Sequence, residues 1–277
     1  MLEAVTTGMN PFIFEPRSSF RGASFRGASM ISAVVTRSAV FWWLPLGAYV
    51  LGSIPFGYLA VRLAGAGDIR QRGSGNIGAT NVTRVAGVVP GVLTLLLDAG
   101  KGYLAVWLAA RVTGGNIRWM IVAALAALLG HLFPVWLGFR GGRGVATGVG
   151  VFLPICWQAV LVAVAVWIAV LAFWRYVSLA SVIAAASLPP LVYLLYAPGH
   201  APPVAVSAGT SASMVLIIVR HRGNIMRLLS GTEPRFTLSR DQRERTGRGE
   251  HLHDDEPGSR NLRDRDRSSF DHRNGHR

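Results

Sequence analysis

Acidic residues are nearly missing from the apolar part of this chain. Between positions 38 and 219 there are two, Asp68 and Asp98, against nine Arg, one Lys and two His. A soluble domain is about a quarter charged, so this stretch does not read as one. Cysteine is scarcer still. Cys156 is the single one, so it forms no intramolecular disulfide and belongs to no CxxC redox or metal motif. Lysine is just as rare: Lys101 stands alone beside 27 Arg. These scarcities exclude chemistry. Two carboxylates do not provide the acid pairs of glycosidases or a carboxylate-bridged metal site. With no metal-ligand cluster and no nucleotide fingerprint in the sequence, no metal and no cofactor is expected.

What is present is apolar length. Stretches able to span a bilayer run over about 39–63, 86–110, 119–139, 177–197 and 203–219. Residues 145–173 add a run of 29 without a formal charge. One upright helix of that length overshoots a core of about 30 Å. Pro154 and Gln158 sit where a turn divides it into a short fourth span and a fifth. The expected fold class is therefore all-α, a polytopic bundle of about seven transmembrane helices. Six is the count if 145–173 is a single tilted helix. Placing Arg70, Arg72, Arg84, Arg140, Arg143 and Arg175 on the inner side gives an N-terminus outside and a C-terminus inside.

The ends have a different composition. Residues 1–37 are polar and basic, repeat Phe-Arg-Gly-Ala-Ser at 20–24 and 25–29, and show no secretory signal. They read as a disordered or mis-assigned extension, with Met30 as an alternative start. Residues 38–233 form the membrane domain. Residues 234–277 mix Arg with acids and hold almost nothing apolar, which reads as a disordered cytoplasmic tail.

Four polar stretches interrupt the apolar body. The first is Gly73-Ser-Gly-Asn-Ile-Gly-Ala-Thr-Asn81, ending at Arg84. Its glycines, Gly75 and Gly78 among them, allow tight turns that present backbone N–H groups. Ser74, Asn76, Thr80 and Asn81 add donors, and Arg84 adds a guanidinium fork. An ordinary inter-helix loop is the other reading. The second stretch, Asp98-Ala-Gly-Lys101, puts two charges inside an apolar span, each costing several kcal/mol there unless paired or wetted. Their spacing places them on one helix face, as a structural ion pair or as a functional ammonium. The third, Arg140-Gly141-Gly142-Arg143-Gly144 leading to Thr147, precedes a new span. A helix N-terminus with free N–H groups suits phosphate, and a topogenic loop is the alternative. The fourth runs from Arg220 to Glu233, with His221 and Asn224 one helical turn apart. His221 is a candidate proton acceptor, and a juxtamembrane cap is the alternative. His131 is a ligand, a base or a packing histidine. Together these stretches invite anions, with more than one phosphate expected.

Read in order, GSGNIGATNVTR (73–84), DAGKG (98–102), GHLFPVWLGFRGGRGVAT (130–147) and RHRGNIMRLLSGTE (220–233), with GSIPFGYL (52–59), resemble the bacterial acyl-phosphate:glycerol-3-phosphate acyltransferase family. The resemblance covers about 40–233. It implies a seven-helix enzyme of the bacterial inner membrane with a cytoplasm-facing site. The implied reaction moves a fatty acyl group from acyl phosphate to the 1-hydroxyl of glycerol 3-phosphate, giving lysophosphatidic acid and phosphate. Carried over by motif, Ser74 and Arg84 are essential polar residues, and the third stretch binds glycerol 3-phosphate. His221 and Asn224 contribute to activity, and Glu233 to the integrity of the site. The family pattern has Lys where this chain has Arg140 and Arg143. Lys101, Arg84 and Arg143 are the expected charge-stabilising cations, and Asp98 is a structural partner. The expected partners are acyl phosphate, glycerol 3-phosphate and membrane lipid, with no nucleic acid and no obligatory protein partner.

Two other classes compete on composition. A transporter of phosphorylated solutes should show matching broken helices in two repeats, and no such repeat is visible. A membrane scaffold working through its tail leaves the intramembrane Asp98 and Lys101 without a purpose.

Overall fold

The computed structural model describes residues 42–196 and 202–236. The expected extension (1–37), the choice between Met1 and Met30, and the tail beyond 236 lie outside the described residues.

Among the described residues the secondary structure is helical, with no strand. Helix α1 (42–52) and α2 (Phe56–Leu63) form one broken span, interrupted at Pro55, which has no N–H to donate. Helix α3 (Ala79–Ala86) follows a polar loop and leads into α4 (Val88–Thr113). Gly114, in the left-handed region, ends α4, and Asn116 caps α5 (Ile117–Leu132). A single 3-10 turn, Val135–Leu137, precedes α6 (Val145–Phe152). The remainder is α7 (Trp157–Trp174), α8 (Val177–Leu195), α9 (Val204–Arg220) and α10 (Arg222–Leu229).

Helix α4 lies at the centre, against α2, α3, α5 and α6. Its sequence explains why. Gly91, Thr94, Asp98, Lys101, Ala105 and Ala109 recur at helical spacing and are buried, while Leu93, Leu95, Leu96 and Leu97 face outward. A water-soluble helix would invert that pattern, and an outward leucine face fits lipid. Helices α4 and α6 approach closely at Gly102 and Gly150. A Cβ at Gly150 would overlap the Ala99 carbonyl, and one at Gly102 would come within 2.6 Å of the Thr147 carbonyl.

The expected division of 145–173 holds, because α6 ends before Pro154 and α7 starts after Cys156. Among the described residues five spans are long and apolar enough to cross a membrane, or six if α9 with α10, bent by 58°, counts as one broken span. The expected fourth span, α6, is eight residues, about 12 Å of helix against a core of about 30 Å. The segment still carries the chain from one end of the bundle to the other. Gly144 sits near Leu132 and Ile217, whereas Ile155 and Cys156 join a core cluster with Ala109, Met120, Val192 and Val206 at the opposite helix ends.

Candidate active site

Three of the four polar stretches meet at one end of the bundle. They surround a pocket of about 650 Å³ lined, among the described residues, by six arginines, Arg70, Arg140, Arg143, Arg220, Arg222 and Arg227, and by a single carboxylate, Asp68. That carboxylate is already engaged. Asp68 caps the 3-10 turn Ile69–Gln71 and takes the Arg70 guanidinium through both oxygens, at 2.7 to 3.1 Å. Hydrogen bonding to Arg70 holds its carboxyl down to about 2. The pocket wall therefore has a large excess of fixed positive charge.

From the first stretch, Ser74, Gly75 and Asn76 line the pocket. Asn81 does not. It is buried beneath them and staples the loop: Oδ1 accepts from the Ser74 N–H at 2.9 Å, and Nδ2 donates to the Arg72 and Asn76 carbonyls at 3.1 and 2.8 Å. The Gly75 N–H donates to the Arg72 carbonyl, and the Gly78 N–H to Asn76 Oδ1. The glycine turns that suggested an N–H cradle thus direct the amides of Ser74, Gly75 and Gly78 into the loop itself. Gly78 is the N-cap of α3, Thr80 lies half-buried in its first turn, and Arg84 is exposed in its last.

The third stretch behaves similarly. Arg140, Gly141 and Arg143 line the pocket, while Gly142, Gly144 and Thr147 are buried behind it. The Gly141 and Gly142 N–H groups donate back to the Leu132 and His131 carbonyls at the end of α5. Their own carbonyls accept from Arg220, at 3.1 and 3.3 Å. Arg143 lies in the interior side of the wall, and its guanidinium is pushed down to about 10. Burial is the main cause and crowding by Arg227, Arg84 and Arg220 adds to it, against the pull of Glu233. It stays charged at neutral pH and is short of counter-charge.

In the fourth stretch Asn224 lines the pocket and donates through Nδ2 to Glu233 Oε1 at 2.7 Å. Glu233 Oε2 takes Arg227 Nε at 2.8 Å. Burial would raise the Glu233 carboxyl, but the hydrogen bonds from Asn224 and Arg227 help to outweigh it and hold it below the ordinary value. His221 is 1% exposed, with Nδ1 against the Ile217 carbonyl at 2.8 Å. That contact makes Nδ1 the donor and leaves Nε2 as the acceptor.

The second stretch lies apart, under the pocket floor. Lys101 Nζ is 2.7 Å from Asp98 Oδ1, donates to the Ile54 carbonyl at 2.7 Å and faces the Phe56 ring. Both charges are buried, so the ammonium is enclosed by protein and does not line the cavity. Sequence reasoning passed over Asp68 and Arg70 as pocket residues, and with them Arg222 and Arg227. The available signal was the density of arginine around His221, where Arg220 and Arg227 recur two helical turns apart.

The match to known proteins decides the family. A sequence model described as glycerol-3-phosphate acyltransferase matches residues 42–231. The chain belongs to that family. Its membrane body is 48% identical over 185 residues to a glycerol-3-phosphate acyltransferase of Mesorhizobium japonicum, covering 67% of this chain and 90% of that protein. It is 50% identical over 193 residues to one of Synechococcus sp., covering 70% and 93%. A crystal structure of PlsY (YgiH), an integral membrane glycerol 3-phosphate acyltransferase in its glycerol 3-phosphate form, superposes with a TM-score of 0.66 at 40% identity, over 72% of this chain and 96% of that one. The lysophosphatidic acid form of PlsY gives 0.64 at 39%. This acyltransferase is thus a multi-pass protein of the cell membrane, and the transporter and scaffold readings fall away.

Proposed function

We propose that this acyltransferase takes its fatty acyl group from acyl phosphate and delivers it to the 1-hydroxyl of glycerol 3-phosphate, releasing lysophosphatidic acid and phosphate. The observation that carries this reading is the pocket with six arginines and one carboxylate, itself already paired. Both substrates bring a phosphate group, and a site this rich in cations is suited to hold two. Acyl phosphate is a mixed anhydride with a good leaving group, so positioning and charge neutralisation supply much of the catalysis. The hydroxyl oxygen attacks the acyl carbonyl carbon, the bond from that carbon to the phosphate oxygen breaks, and phosphate leaves with the electron pair.

Cys156 is buried in the apolar core, at the end of the bundle away from the pocket, which favours direct transfer over an acyl-enzyme. Arg140 and Arg143 of the third stretch hold glycerol 3-phosphate, while Ser74 and Asn224 orient the reactants. The hydroxyl proton passes to a substrate phosphate oxygen. His221 Nε2 is the other acceptor, and its enclosure favours the phosphate. The arginine-lined end faces the cytoplasm by the positive-inside rule, with α1 entering from the opposite side.

The test uses purified protein in lipid, supplied with labelled glycerol 3-phosphate and either acyl phosphate or acyl-CoA. Labelled lysophosphatidic acid from acyl phosphate alone, strongly reduced in Arg143→Ala, is the expected result. Product from acyl-CoA alone would overturn the donor assignment. No product from either donor, with folded wild type, would overturn the reaction.

A further inference from the structure

The buried charges Asp98 and Lys101 do not line the pocket, yet they connect to its wall. Asp98 Oδ1 meets Lys101 Nζ on one side and His131 Nδ1, at 3.5 Å, on the other. At that distance the contact is electrostatic rather than a hydrogen bond, and His131 Nδ1, though buried, has no hydrogen-bond partner. The opposite edge of the same ring lies against Gly142, where a Cβ would overlap Nε2. The His131 carbonyl accepts the Gly142 N–H at 3.1 Å. Gly142 is thus held by ring and main chain of one residue, while Arg220 takes its carbonyl from the pocket side. The next residue is Arg143.

We propose that His131 is a positioning residue for acyl transfer, anchored by the Asp98–Lys101 pair, and that it acts through Gly142 to set where Arg143 enters the pocket. The proposal rests on the acyl-transfer reading above for the reaction, and on the geometry for the coupling.

The physical argument has three parts. An ion pair inside a membrane span is a fixed point, because moving either partner toward hydrocarbon is expensive. Here that point touches three elements: Asp98 and Lys101 belong to α4, Lys101 donates to the carbonyl of Ile54 in the α1–α2 break, and His131 of α5 packs against the Asp98 carboxylate at 3.5 Å. The loop it supports has no side chain at Gly141 or Gly142 with which to wedge itself. Its register therefore depends on the surface behind it, and the His131 ring is that surface. Arg143, half-buried and crowded by other arginines, is sensitive to its place relative to an anion, since Coulomb energy at low dielectric falls steeply with distance.

The test is a double-mutant cycle between His131→Ala and Arg143→Ala, read in two ways. One is steady-state kinetics with acyl phosphate and glycerol 3-phosphate. The other is calorimetric binding of glycerol 3-phosphate to detergent-solubilised protein without a donor. His131→Ala is expected to raise KM and Kd for glycerol 3-phosphate about ten-fold, the scale of a small misplacement of a binding group. The kcat and the KM for acyl phosphate should stay within about three-fold of wild type by the same argument. In the Arg143→Ala background the same change should add less than about two-fold, because the group it positions is gone. His131→Gln keeps a donor toward Asp98 and much of the bulk, and should recover most of the lost affinity.

Equal, additive losses in both backgrounds would overturn the proposal, as would loss of kcat in step with the fraction of protein folded. Wild type that binds glycerol 3-phosphate but forms no product refutes the reaction alone. The binding cycle then still decides the positioning role.

Discussion

Asn224 and Glu233 are joined by a 2.7 Å hydrogen bond from amide nitrogen to carboxylate, and the same carboxylate holds Arg227 at 2.8 Å. The pair closes the segment after α10 onto the pocket wall, so the charge on Glu233 orders two pocket residues. Its carboxyl is held below the ordinary value of 4.5. A group with a depressed folded pKa contributes stability that is present above its unfolded pKa and is lost as pH falls through the folded one. Glu233→Gln should therefore melt at lower temperature than wild type at neutral pH. The cost is on the order of 1.5–3 kcal/mol, the scale of hydrogen bonds to a charged group. The gap should narrow as pH drops below about 4.5. Melting curves of both proteins between pH 7 and pH 3 check this, and a gap that does not change with pH would contradict it.

Asn81 makes three hydrogen bonds, one to Arg72 just before the 73–78 turn and two to Ser74 and Asn76 within it. Removing its side chain leaves the Ser74 N–H and the Asn76 carbonyl without their partner, while the Arg72 carbonyl keeps the Gly75 N–H. Asn81→Ala should destabilise by about 2–4 kcal/mol, given about 1–3 kcal/mol for each buried group left unsatisfied. Asn81→Asp should be little better, because it keeps the acceptor and loses both donors. Limited proteolysis at Arg72, slow in wild type, is expected to become fast in both. Unchanged cleavage would mean that the loop is held by something else.

The crowded arginines predict a response to simple anions. Arg143 is pushed down to about 10 by burial and by its cationic neighbours. An anion among them relieves that repulsion. Inorganic phosphate at ten times its Kd should raise the unfolding free energy by about 1.4 kcal/mol. Arg143→Ala should lose most of that shift while keeping its response to neutral osmolytes. Thermal melts across a phosphate series, at constant ionic strength, separate the two. A phosphate effect equal in wild type and variant would place the anion elsewhere.

These cases show which features the sequence carried. The four polar stretches stood out against an apolar background, and three of them do meet at one pocket. Pro154 marked the division of the long apolar run. Direction within a stretch was not legible. Composition alone does not say that Asn81 faces inward while Asn76 faces the pocket, because that depends on how Gly73 and Gly75, both with positive φ, turn the chain. For the same reason an expected cradle of N–H groups became a wall of guanidinium groups. The short α3 is not legible in the sequence, since Gly-Ala-Thr-Asn has weak helix propensity and the helix packs against α4. The close packing of α6 on α4 at Gly102 and Gly150 is a tertiary effect that periodicity does not report.

Lys101 is the clearest case of a residue whose type was legible and whose place was not. Read in isolation it is a cation in reach of an anion. In the fold it is 4% exposed and bound to Asp98 and to the Ile54 carbonyl. A buried pair of this kind reacts differently to losing one member and to losing both. Lys101→Met strands the Asp98 carboxylate in an apolar interior, at a cost of about 3–5 kcal/mol. Adding Asp98→Asn removes the stranded charge, so the double variant should regain most of that loss. The Ile54 carbonyl still loses one of its two donors and keeps only the Phe56 N–H, so recovery should be incomplete. Melting temperatures of wild type, Lys101→Met, Asp98→Asn and the double variant, in one detergent, give the coupling energy directly. A double variant more stable than Lys101→Met identifies the lysine as a counter-ion. A double variant equally or less stable would mean that the ammonium is needed in its own right, and would return Lys101 to the candidates for direct contact with substrate.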